Sequence, residues 1–383
     1  MAQTIPQELW DDIVDVLHDS PDDLKSCSLV CRAFVARAQS HVFGTISIGR
    51  APRYEYFDRP LQAKWLARLI RLVDLMKCSS PHLISYVHTL DIESCDAGEI
   101  LILMAQIPWS RVRTLSLRHI PVQELGRVLD SVHMLVSISS LQRLRLESGR
   151  REWSMEDVHA IFTHCSPTLV SLEIVGYGLK PNSLVNLPTS DFALAPSRRK
   201  IRDLRFWNSP SVVDLLNHPA CPFDCSSLSH VRLVWMKPNP TLNGFLHRTA
   251  ATIQSLHIAA NQEKFDDLDL ASFPAVHRIC IDLFADSFAV YRLLVRWPTP
   301  ERISSICVIT SSAHIEYLSR TRPCGLLDYL DYFASKLPSL YRVEIEVSMT
   351  KLQPGYRPSL SRQDVHCGEG YVLLMNTANN RRI

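Results

Sequence analysis

The chain has 383 residues, of which 46% are hydrophobic and 21% charged, and its formal net charge is +2. That excludes global disorder and leaves room for two ordinary domains, or for one small module joined to an extended array. The near-neutral balance predicts no charge-driven attraction to nucleic acid or to an anionic membrane.

Its 11 cysteines are odd in number and sit mostly inside apolar runs, the usage of a reducing compartment where cysteine serves as a small hydrophobe. Met1-Ala2-Gln3-Thr4 has neither a basic start nor an apolar run, so no signal peptide is expected. The longest apolar stretches, such as Ile100–Ile107, are too short to span a bilayer. The expectation is a soluble protein of the cytoplasm, the nucleus or both, with no membrane and no nucleic acid among its partners.

The first predicted helix opens at Pro6, whose missing N–H is no loss in a first turn, and Glu8, Asp11 and Asp12 place negative charge near the positive end of its dipole. Leu9, Ile13, Val16 and Leu17 recur at helical spacing as one apolar stripe. Ser20-Pro21-Asp22-Asp23 reads as a second start, with serine as cap. From it Leu24, Cys27, Cys31 and Phe34 follow at steps of three and four, while Leu29, Val30 and Val35 fall off that stripe. A segment this short buries too little surface to stand alone, since domains below roughly 60 residues are marginal. Its two apolar sides call for two things to pack against, one of them a partner.

Ile5-Pro6-x-Glu8-Leu9-x-x-x-Ile13, then Asp23-Leu24 and Ser28-Leu29-Val30-Cys31-Arg32-x-Phe34, resembles the F-box pattern in order and spacing. Ile5 stands where leucine is usual and Phe34 where tryptophan is usual; both keep apolar bulk. The resemblance implies docking to the Skp-type adaptor of an SCF-type cullin-RING ubiquitin ligase, beside its cullin scaffold. It implies contacts from Ile5, Pro6, Leu9, Ile13, Leu24, Leu29, Val30 and Phe34. The other reading of the same residues is the core of an amino-terminal helical cap.

Next, Arg59–Lys77 carries Leu61, Trp65, Leu69, Leu72 and Leu75-Met76 at helical spacing and is expected to cap the remainder of the chain. From residue 87 one pattern, apolar-x-x-apolar-x-apolar, returns ten times, beginning at Val87, Val112, Leu141, Leu169, Ile201, Leu228, Ile253, Val276, Ile303 and Leu340. The starts lie between 23 residues (253 to 276) and 37 residues (303 to 340) apart. The last two apolar positions of each copy are two apart, as on one face of a strand. Helix-like stretches lie between copies at Gln123–Val136, Met155–Phe162, Val212–Leu216, Leu242–Arg248 and Ser287–Val295.

Strand and helix alternating at this period resemble a leucine-rich repeat, in a degenerate form, over about residues 83–348. The asparagine usual in that family three residues past the last strand position is nearly absent. Cys95 and Asn261 suit the role, whereas Ile120, Gly149, Tyr177, Met236 and Phe284 do not. The fold expected is therefore α/β, a small helical F-box module followed by an irregular leucine-rich-repeat-like solenoid with a parallel strand face. The divisions are 1–50 for the module, 51–82 for a linking and capping helix, 83–348 for the solenoid, and 349–383 for a closing strand (around Tyr371–Met375) and tail.

The third and fifth residues of each copy should project from the strand face, where six arginines stand against four acids. Arg143, Arg145, Arg205 and Arg232, with Trp207 as an aromatic anchor, are the expected substrate contacts. They suit an acidic or phosphorylated segment, although a merely solvated strand face would carry arginines too. Cys221-Pro-Phe-Asp-Cys225 with His218 and His230 fits no paired Cys/His zinc framework, and His164-Cys165 reads as part of a repeat. No nucleophile elbow, phosphate-binding glycine loop or zinc-protease motif is present. The chain is expected to be a non-catalytic substrate-recognition adaptor without metal or cofactor; the alternatives are a non-degradative interaction scaffold and a helix-capped repeat protein with no ligase connection.

Overall fold

Three helices open the chain: α1 (Gln7–Val16), α2 (Pro21–Val30) and α3 (Arg32–Gly44). The computed structural model describes residues 6–49, 59–93, 98–120, 122–148, 153–176, 198–207, 210–234, 240–260, 273–283, 302–311, 342–348 and 371–376. The α/β expectation holds. Residues 1–199 with 218–223 make one compact unit, and 200–217 with 224–383 make another.

In the first unit Val14, Leu24 and Ala38 form a small buried core, with Leu17, Phe34 and Val42 packed on it. Trp10 meets Phe34 edge to face at 5.1 Å, a favoured arrangement for ring quadrupoles. Two details depart from the sequence reading. Ser20 Oγ donates to Asp23 Oδ2 at 2.6 Å and caps no backbone N–H. The helix also does not run on through Cys31, which is extended (φ −153°, ψ 161°) and exposed, so Cys27 and Cys31 share no helical face. That break redirects the chain, so that α3 returns Phe34 and Ala38 to the residues of α1 and α2.

A strand, β1 (Thr45–Ile48), follows α3 and pairs in parallel with β2 (Thr89–Glu93). The helical module expected over residues 1–50 has its last helix end at Gly44, and residues 45–48 belong to the sheet. The signal is in the sequence: Phe43, Ile46 and Ile48 are an eleventh copy of the strand pattern. Gly49 leaves this strand at φ +94°, where a Cβ would lie 1.7 Å from the Glu93 carbonyl oxygen, so only glycine fits.

Between these strands run α4 (Arg59–Asp74), a single π-turn (Leu75–Ser79) and a 3-10 turn (Pro81–Tyr86), which bury Leu69, Val73 and Met76. Then come α5 (Gly98–Ala105), β3 (Thr114–Ile120), α6 (Val122–Val136), β4 (Arg143–Ser148), α7 (Met155–His164) and β5 (Ser171–Val175). Strands β1 to β5 pair in parallel in chain order, so Leu90, Leu115, Leu144 and Leu172 fall in one buried row and Ile92, Leu117, Leu146 and Ile174 in the next. Fully burying one such side chain stabilises by about 1.5–3 kcal/mol.

The two-residue strands β6 (Arg199–Lys200) and β8 (Phe223–Asp224) lie where the chain passes between the units. The second unit holds β7 (Asp203–Trp207), α8 (Pro210–Asn217), β9 (His230–Val234), α9 (Pro240–Thr249), β10 (Ser255–Ala260), β11 (Arg278–Leu283), β12 (Ser305–Ser311), β13 (Arg342–Ser348) and β14 (Tyr371–Asn376). Pairing from β7 through β9 to β13 is parallel, and β14 closes the sheet antiparallel to β13. In each of the ten copies the last two apolar positions fall on a strand; the expected helix at Ser287–Val295 lies outside the described residues.

Hydroxyls and backbone hydrogen bonds tie successive copies together at the turns that enter the strands. The carbonyl before a strand accepts two successive N–H groups of the next copy: His88 from Arg113 and Thr114, Arg113 from Gln142 and Arg143, Gln142 from Val170 and Ser171. Arg202, Ser229, Gln254 and His277 do the same in the second unit. Ser140 Oγ donates to the Val112 carbonyl at 2.8 Å, Thr168 Oγ1 to Leu141 at 2.8 Å and Thr252 Oγ1 to Leu228 at 2.8 Å. These bonds satisfy backbone groups in the turns that enter the strands.

Candidate functional site: an exposed apolar helix surface and two charged strand faces

The first candidate lies on α1 and α2. Leu9 is 53% exposed, Ile13 50%, Val16 80%, Leu29 86% and Val30 71%. Single exposed apolar residues are ordinary, but five within 22 residues of a module with a three-residue buried core are not. Pro6 is exposed at the start of α1, and Ile5 lies outside the described residues. Leu24 and Phe34 stand apart from the other expected contacts. Leu24 is buried in the module core and Phe34 is half-buried against Trp10, so both hold the surface in place from beneath.

An ion-paired hub ties α1 to α3. Arg37 Nε and Nη2 donate to Asp15 Oδ1 and Oδ2, each at 2.5 Å, and His41 Nε2 lies 2.7 Å from Asp15 Oδ1. Hydrogen bonds from Arg37, and then from His41, hold the Asp15 carboxyl well below the usual carboxylate range. Gln7 Nε2 donates to the Ala33 carbonyl at 3.0 Å, a second tie between α1 and α3.

The second candidate is the strand face of each unit. In the first unit the expected arginine surface is answered by carboxylates. Arg145 bridges Glu147 at 2.8 Å and Glu173 at 3.1 Å. Arg118 lies 2.5 Å from Asp91 and 3.3 Å from Glu93. His119, at φ +56° beside a register shift, sits 3.4 Å from Glu147. Arg143 is exposed on the same strand as Arg145. Glu93, Arg118 and Glu147 stand one strand step beyond the third and fifth positions, which is why counting only those positions made this face look basic. The terminal nitrogens of Arg145 are thus already engaged by carboxylates of its own unit.

In the second unit the register places Arg205 beside Arg232 and Arg232 beside His257. Asp203 meets Arg205 at 3.1 Å. Arg232 Nε and His257 Nε2 are buried and have no hydrogen-bond partner. Burial, and then the charges of Arg232, Arg205 and Arg278, push the His257 ring down to about 3, so it is neutral at physiological pH. Trp207 is half-buried two residues past Arg205.

No protein-family model matches this chain, and no curated protein does.

Roles therefore rest on the residues themselves. Burial pushes the Cys165 thiol up to about 12 and the Cys221 thiol up to about 11, keeping both protonated. Among the described residues no group of three or more His, Cys, Asp or Glu is placed to hold a metal ion. Among them, too, no helix is long and apolar enough to cross a membrane.

Proposed function

We propose that the chain is a substrate-recognition adaptor of an SCF-type cullin-RING ubiquitin ligase, whose α1–α2 surface docks a Skp-type adaptor and whose strand faces receive a protein substrate. The single observation that carries this reading is the exposure of Leu9, Ile13, Val16, Leu29 and Val30 on helices whose own core is complete without them. Exposed aliphatic side chains on two ordered helices suit a hydrophobic protein interface. The F-box-like spacing of the same residues supplies the partner class. The ten-copy strand array supplies extended surface for a second protein.

The test is affinity purification of the full chain beside a Leu9→Asp/Val30→Asp variant. Both positions are open to solvent, so the substitutions should leave the fold within about 0.5 kcal/mol of its stability while placing carboxylates in the contact. Loss of the Skp-type adaptor from the variant alone supports the reading; equal recovery from both refutes it.

A further inference from the structure

We infer that Cys280 and Cys307 form a two-thiol site for a soft monovalent metal ion, Cu(I), on the strand face of the second unit. The inference goes beyond the proposed adaptor role and does not depend on it.

Each of the two cysteines is the fifth residue of its copy of the strand pattern. That position faces away from the apolar rows on either side of it. In every other copy it carries a charged or polar residue, as at Ser116, Arg145, Arg232 and His257. A cysteine serving as a small hydrophobe belongs in the apolar rows instead. Here two thiols are register partners on the neighbouring parallel strands β11 and β12, and a hydrogen bond joins them. They are 9% and 5% exposed, so they are shielded from bulk water yet open to an ion arriving across the face. A separation of 27 residues (280 to 307) hides the pair from any reading of cysteine spacing.

Distances decide what such a pair can hold. Register partners on adjacent strands stand about 4.8 Å apart. A disulfide draws its two Cβ atoms to about 3.8 Å, closer than the strands stand. A metal held in line between two thiolates, with bonds of about 2.3 Å each as zinc makes to sulfur, spans about 4.6 Å. The spacing suits a bridging ion better than a direct sulfur–sulfur bond.

Thiolates select soft ions such as Cu(I) and zinc. Structural zinc takes four ligands, and among the described residues no three of His, Cys, Asp or Glu are placed to share one ion. Cu(I), with its filled d shell, is stable with two. Binding replaces two S–H bonds by two Cu–S bonds, and two protons leave to the solvent. In the free chain the hydrogen bond with Cys307, and then burial, keep the Cys280 thiol protonated. Two thiolates and one Cu(I) carry a single negative charge, which the charges of Arg232 and Arg278 acting on Cys280 offset. His257, the register partner of Cys280 on β10, flanks the site as an uncharged ring whose Nε2 is buried without a hydrogen-bond partner.

The full chain would be titrated anaerobically with Cu(I) against an excess of bicinchoninate, a colorimetric Cu(I) chelator, and X-ray absorption would count the sulfurs on the copper. The wild type should retain one equivalent, held by two sulfurs. Cys280→Ser, Cys307→Ser and Cys280→Ala, which keeps the site apolar, should each lose that equivalent. Cys31→Ser/Cys78→Ser, which removes two exposed thiols, should retain it. Transfer of all copper to the chelator by the wild type, retention by any of the three single variants, loss in Cys31→Ser/Cys78→Ser, or one equivalent of zinc held in preference to copper would each overturn the proposal. The sulfur count is read on the wild type, so it stands whether or not a variant folds.

Discussion

Arg232 and His257 occupy paired positions on β9 and β10, and neither the guanidinium Nε nor the imidazole Nε2 has a hydrogen-bond partner. The pair has a consequence for stability. His257 titrates near 3 in the folded chain against an ordinary value of 6.5, so between those values the unfolded state binds more protons than the native state. Its contribution is complete above about pH 6.5 and is lost as pH falls toward 3, with a slope of at most about 1.4 kcal/mol per pH unit. Denaturant unfolding across that window should show a shallower pH slope in His257→Gln than in the wild type. Identical slopes would mean that the ring is not held neutral.

Asp15 should act in the same direction through a different cause. Its carboxyl is held low by Arg37 and then His41, so its stabilisation is present above the ordinary carboxylate pKa and is lost as pH falls below it. The group is substantially exposed, at 37%, which limits the contribution to about 1 kcal/mol or less. Asp15→Asn should speed hydrogen exchange in α3 before it affects the β2–β5 strands. Unchanged exchange in α3 would contradict the hub.

Leu24→Ala separates core from surface. It empties part of the Val14–Leu24–Ala38 core and should destabilise the helical module by about 2–5 kcal/mol. Leu29→Ala, at a position 86% exposed, should leave melting unchanged and still reduce adaptor capture. Equal melting losses in the two variants would contradict the assignment of Leu24 to the core.

Gly49→Ala should be more costly than a loop substitution suggests. The added Cβ would strike the Glu93 backbone at a φ that disfavours side chains, and the loss should exceed about 1 kcal/mol. Thermal unfolding measures it; an unchanged midpoint would place the β1–β2 junction elsewhere.

The sheet was legible in the sequence because its rule is local. An apolar residue, two more steps, then two apolar positions a strand period apart recur at every described strand from β2 to β13 other than the two-residue β6 and β8. β1 follows the same rule through Phe43, Ile46 and Ile48, yet it is masked by the helical segment that runs directly into it. The break at Cys31 was not legible, since Leu24, Cys27, Cys31 and Phe34 keep helical spacing across it. Sequence spacing also could not separate Leu24 from Leu29, because burial depends on where α3 returns. The charge of the strand faces misled for a similar reason: Glu147 answers Arg145 only once β4 places both on one side, and Glu173 only once β5 lies beside it.

The most direct measurement of the central claim is adaptor capture by the full chain and by its Leu9→Asp/Val30→Asp variant, with melting recorded on both. The account predicts unchanged melting and loss of the Skp-type adaptor from the variant. Equal capture by the two proteins, with both folded, would contradict it.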